Sequence, residues 1–263
     1  MTSGGFLPPE SPVQPALPAA SRPEPRGVHL PMAKPVVTYV LLAAIAGVFL
    51  LETVFGGSTN MQTLVVLGAQ VNSLVAAGQY WRLLSSMFLH IGIAHLAFNG
   101  YALYIIGRDV EMMYGSARFT AIYFLSGLAG SVLYFLVGPS VSVSAGASGA
   151  VFGLIGAQVA FFLLNRSLFG SFGRQRLGNL AVLLAINLAL GLMPGINMWA
   201  HLGGLAAGFG LALALAPRYE VTWEWAEMAP QARLVNRQPV WVSLAGLVAV
   251  SVLLLAALAW GSG

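Results

Sequence analysis

The chain of 263 residues is 58% hydrophobic and only 8% charged, with a mean hydropathy of +0.81, whereas a soluble globular domain carries about 25% charged residues. That composition is the composition of a polytopic membrane protein. It contains no cysteine, which excludes disulfides, thiolate metal sites and cysteine nucleophiles, and its net charge of +4 includes no basic cluster suited to nucleic acid.

Residues 1–34 are rich in proline, from Pro8 and Pro9 through Pro31, and cannot build a packed core. They are read as a disordered cytoplasmic tail without the pattern of a signal peptide. Seven apolar segments follow, at about 36–55, 93–113, 117–138, 148–165, 178–194, 199–216 and 240–260, each near the roughly 20 residues that cross a bilayer. Two connections are long: one between the first and second segments, and a polar linker at 218–239. No internal repeat supports an inverted-repeat transporter.

Basic residues collect on the cytoplasmic side of short loops. With the N-terminus inside, Arg22, Arg26, Lys34, Arg108, Arg118, Arg166, Arg174, Arg176, Arg218, Arg233 and Arg237 all fall at or near that face, and only Arg82 of the 12 Lys and Arg residues lies outside. The second, fourth and sixth spans then start at one outer depth. Ser148, His201, His95 and Asn99 are therefore expected to gather in the outer half of the membrane.

Intramembrane polar groups are costly and mark function. In Gly146-Ala147-Ser148-Gly149, glycine on both sides of a serine lets backbone N–H groups approach a carbonyl at a helix start, although the same stretch suits helix packing. His201, Gly204 and Gly208 are spaced i, i+3, i+7 and share a face, matching a stripe of Gly149, Gly153 and Gly156 beside Ser148. Packing of the two stripes would bring hydroxyl and imidazole together, as nucleophile activation requires. No Asp or Glu is placed at that depth, so a Ser-His dyad is expected. His95 and Asn99, spaced i, i+4, can both donate hydrogen bonds to an oxyanion, with the Ser148 N–H beside them and Gly146 lining the same region.

Trp81-Arg82, His95-Leu-Ala-Phe-Asn99, Gly146-Ala-Ser148-Gly149 and Ala200-His201-x-x-Gly204-x-x-x-Gly208 together resemble the rhomboid family of intramembrane serine proteases, over about residues 36–216. The resemblance implies a catalytic Ser148 and His201 and an oxyanion region of His95, Asn99 and the Ser148 N–H. It also implies an aromatic ring, here Phe152, stacked on the catalytic histidine, and cleavage within or beside a substrate's transmembrane helix with no cofactor or metal. By the same resemblance, Met193-Pro194-Gly195-Ile196-Asn197 is a cap that moves when substrate enters beside the fifth helix.

Among the remaining polar residues, Trp81 is read as an interfacial residue and Arg82 as an anchor bonded to carbonyls within the first outer loop. His90 is expected to bond within the same loop. Glu111 is expected to pair with Arg108 or to cap a neighbouring helix.

The resulting expectation is an all-α fold: a six-helix rhomboid-like core at 35–217, the linker at 218–239 and a seventh transmembrane helix at 240–263, with the N-terminus cytoplasmic. The activity is serine endopeptidase action on single-span membrane proteins, in contact with membrane lipid. The expected location is the bacterial inner (plasma) membrane, with the site toward the external face. The rival readings are an inactive rhomboid-like protein that binds membrane helices for quality control or trafficking, and a transporter.

Overall fold

The computed structural model describes residues 32–193, 195–226 and 229–261. The proline-rich tail therefore lies outside the described residues except at 32–34, and Pro194 of the expected cap lies outside them as well. The described chain is mostly helical. Among the described residues, four helices are long and apolar enough to cross a membrane, α1 (Val36–Val54), α7 (Ser116–Val137), α10 (Met198–Leu215) and α11 (Val240–Gly261). A bent pair counts as a fifth: α4 (Arg82–Ser85) with a 3-10 turn to Phe88, then a run at 91° through α5 (Gly92–Ala102), a π-helical turn (Leu103–Gly107) and α6 (Arg108–Tyr114). Between α1 and α4 the chain forms α2 (Met61–Leu67), a two-residue strand β1 (Gln70–Val71) and α3 (Asn72–Ala76).

The centre of the bundle is α8 (Ser148–Leu164), which is apolar on nearly every side and buried along most of its length. It packs between α7 and α10, and glycines set the spacing. A Cβ on Gly204 would run into the Gly149 carbonyl, and one on Gly208 into that of Gly153. The two small-residue stripes thus face each other in contact. Dispersion and close backbone approach, rather than large side chains, hold such a pair in an apolar solvent.

Glu111 shows how α1 begins. Pro35 at its N-cap offers no side-chain bond. The buried Glu111 carboxylate accepts instead from the backbone N–H of Val37 (2.9 Å) and Thr38 (2.7 Å), from the Thr38 hydroxyl (2.7 Å) and from Ser116 (2.7 Å). Of the two roles open to it, Glu111 thus takes that of a helix cap, placing negative charge where unpaired N–H groups emerge.

Helix α9 (Arg166–Leu190) begins about twelve residues earlier than the fifth segment read from sequence, with a non-helical residue at Gly170 (φ +48°). The stretch 218–239 is more than a polar linker. It forms an antiparallel hairpin of β3 (Tyr219–Ala226) and β4 (Ala229–Asn236). Asn165 ties its root to the bundle, donating to the Pro217 carbonyl (2.9 Å) and accepting from the Tyr219 N–H (2.8 Å). Hydropathy alone hides such a hairpin, because its strands alternate between faces and average out as polar.

Candidate active site

Ser148 is the first residue of α8, so its N–H has no acceptor within the helix. Its Oγ lies 2.9 Å from Nε2 of His201 on α10. The Phe152 ring, one turn further along α8, stacks on the His201 imidazole with centroids 4.2 Å apart and planes 11° from parallel. His201 is buried, and its Nδ1 has no hydrogen-bond partner among the described residues. The imidazole is therefore held by stacking and by the serine.

Gly146 has φ +133°, a conformation that only glycine adopts without strain, and a Cβ there would meet the His95 ring at 2.7 Å. Two demands thus fall on one residue, the turn and the seat for His95. The Ile91 N–H donates to Nδ1 of His95 (3.3 Å), which leaves the proton on Nε2, the nitrogen that faces the Gly146–Ser148 turn. Asn99 is buried, and its amide donates one bond to the His95 carbonyl at 3.0 Å. A second amide hydrogen remains for another acceptor.

Sequence reasoning found no carboxylate at this depth, and that is corrected by Glu52. It lies near the end of α1, fully buried, and one oxygen accepts from the His90 N–H at 2.9 Å. The signal was available: consecutive spans run in opposite directions, so the last turn of the first span is expected at the same depth as the first turns of the second, fourth and sixth. Glu52 does not complete a triad, because it bonds His90 and not His201. His90 bonds within its loop, as expected, through Nδ1 and the Phe88 carbonyl (3.2 Å). It also accepts from the Ala147 N–H (3.4 Å), the residue before Ser148.

The long loop between α1 and α5 is tied to the same place. Arg82, 6% exposed, donates to the carbonyls of Val65 (2.7 Å) and Ala69 (2.9 Å) and to Gln79 (2.6 Å), with its guanidinium over the Trp81 ring. Strand β1 pairs with β2 (Val143–Ser144), just before the serine turn. Asn197 closes the circle. Its side chain caps α10 by accepting from the Ala200 N–H (3.0 Å) and donates to the Ser144 hydroxyl (2.7 Å).

Residues 77–218, from α4 to the end of α10, match the Rhomboid domain, and this stretch carries every one of these groups except Glu52 and the first part of the loop. The chain belongs to the rhomboid family. It is 47% identical to rhomboid protease GluP of Bacillus subtilis over 184 residues, 69% of this chain and 35% of that protein. It is 41% identical over 171 residues to RHOMBOID-like protein 2 of Arabidopsis thaliana, 65% of this chain and 53% of the other. A smaller relative, the Bacillus subtilis protein YdcA, is 34% identical over 187 residues, 71% of this chain and 91% of its own length. The chain thus spans between a third and about half of the first two relatives. As a rhomboid protein it is an integral membrane protein with several spans, and a protease bears the family name among its relatives.

Proposed function

We propose that this protein is an intramembrane serine endopeptidase. The observation that carries the reading is the 2.9 Å approach of Ser148 Oγ to His201 Nε2 beneath a stacked Phe152. His201 Nε2 accepts the Ser148 proton as Oγ attacks a substrate carbonyl carbon. Negative charge then grows on the carbonyl oxygen, within reach of the Ser148 N–H, the His95 Nε2–H and the Asn99 amide. Collapse of this intermediate breaks the C–N bond, and the imidazolium returns its proton to the leaving amine. Water, activated by the same imidazole, hydrolyses the Ser148 ester and restores the dyad.

His201 needs no carboxylate partner in this scheme. Its orientation comes from Phe152 and from the close contact of α8 with α10. The substrate is a transmembrane segment of a membrane protein, locally unwound, because helical hydrogen bonds shield its carbonyls until they break. We take the topology to be a core of six spans at 35–217 followed by a seventh, with the N-terminus cytoplasmic and the site toward the external face. The placement of eleven of the twelve Lys and Arg residues supports it. The bacterial inner membrane is the proposed location, and the chemistry requires no cofactor.

The full chain in liposomes with a single-span substrate tests this, against Ser148→Ala and His201→Ala. Both variants should lose cleavage, and both should lose labelling of Ser148 by a fluorophosphonate. Cleavage undiminished in either variant removes that residue from the dyad. A wild type that binds helix-destabilised substrates without cutting any of them is instead a helix-binding protein.

A further inference from the structure

Away from the dyad, a half-open cavity of about 130 Å³ lies between the π turn with α6, α8 and α9. Gln158 lines it, ten residues after Ser148 on α8 and so about 15 Å along the axis. Gln158 is 3% exposed. Its Nε2 donates to Asp109 (3.2 Å), and its Oε1 has no hydrogen-bond partner among the described residues. A buried amide oxygen is normally paired, by protein or by a bound molecule, and this one belongs to a residue of the cavity wall. The π turn at Leu103–Gly107 directly precedes α6, which carries Asp109 to the cavity wall, and such turns recur at functional sites.

The chemistry of the wall defines what would pair there. Gln158 Oε1 and the Asp109 carboxylate accept hydrogen bonds, which calls for a cation that donates them. Arg176 on the same wall offers positive charge to an anion. Asn179 adds a neutral amide to this wall; the remaining walls, Ile105, Ile106, Leu180 and Leu183, are apolar, and beyond them α9 exposes Val182 and Ile186. The mouth therefore opens between the apolar outer surfaces of membrane helices, where lipid is the neighbouring molecule. At about 30 Å³ for each water-sized group, the volume holds about four such groups, the size of an ethanolamine ammonium with its two methylenes and ester oxygen.

We propose that this cavity binds the headgroup of phosphatidylethanolamine, its primary ammonium donating to Gln158 and Asp109 and its phosphodiester facing Arg176. The bound lipid joins α6, α8 and α9. Because α9 buries only Gly173 and Leu180, the lipid adds an attachment where that helix has few others.

The test uses the full chain, delipidated in detergent and titrated with short-chain phosphatidylethanolamine, phosphatidylcholine and phosphatidylglycerol. Native mass spectrometry reads binding, and the melting temperature reads stabilisation. Phosphatidylethanolamine should bind about tenfold more tightly than phosphatidylcholine, whose trimethylammonium cannot donate a hydrogen bond. Asp109→Asn and Gln158→Leu should each bring the two lipids to about equal affinity. Arg176→Gln, at an exposed side chain, should weaken all three lipids and keep their order. Ser148→Ala should bind as the wild type does, so the outcome is independent of proteolysis. Equal affinity for the ethanolamine and choline lipids in the wild type overturns the proposal, as does a preference that survives both cavity variants. Preference for phosphatidylglycerol removes the ammonium. Stabilisation by soluble phosphoethanolamine or by a lysine-bearing peptide that matches the lipid's removes the lipid as the ligand.

Discussion

Helices α8 and α9 follow one another in the chain and are held in opposite ways. Thirteen of the seventeen residues of α8 are buried, against two of the twenty-five in α9. On α8 the glycines admit α10 to backbone contact, so the serine and the histidine sit on two helices that cannot separate without losing a continuous packed face. On α9 the outward side chains meet no other helix, and Gly170 interrupts the regular turn. The proposed chemistry thus falls on the pair with most to lose from movement. A helix with few buried contacts opens at low cost, and α9 is such a helix.

That contrast can be broken at its strongest point first. Gly204→Leu would drive a side chain into the Gly149 carbonyl, and it should cost about 3 kcal/mol or more and abolish fluorophosphonate labelling. Thermal unfolding followed by tryptophan fluorescence measures it, and an unchanged melting temperature would mean the two stripes do not touch. Phe152→Leu keeps an apolar side chain in the packed face, with a small loss of volume, but loses the stacked ring. It should lower kcat/KM about tenfold with little change in melting temperature. A rate equal to wild type would leave the imidazole oriented by its serine alone.

Asn197→Ala removes the α10 cap and the bond to Ser144, an expected cost of about 1 kcal/mol. Denaturant titration of the two proteins side by side would read it. The smallest effect belongs to α9: Ile186→Ala, on its exposed surface, should change stability by less than about 0.5 kcal/mol. A loss several times larger in the same titration would show that α9 is packed as firmly as α8.

The features legible in the sequence were those repeated along one helix. The spacing of His201, Gly204 and Gly208, the matching glycines beside Ser148, and the alternation of basic loops each follow from a helical period or a charge rule. They suffice to put the serine and histidine at one depth on facing stripes. Glu52 belonged to the same logic and was missed only because its span runs the other way. The hairpin after α10 was missed for another reason, since alternation over eight residues looks polar to a test tuned to twenty.

The sequence by itself determined that this is a multi-span membrane protein, which residues face one another across its helices, and which family they belong to. Apolar length, glycine spacing and charge are local quantities, and a bilayer acts on them segment by segment. Only the tertiary structure decided that His90 holds the turn before the serine, that Asn197 joins α10 to Ser144, and that Gln158 lines a cavity while its amide oxygen has no partner among the described residues. The two bonds join residues 57 and 53 positions apart, and the cavity draws on three helices. No periodicity encodes them, because the packing of the whole bundle brings the partners together.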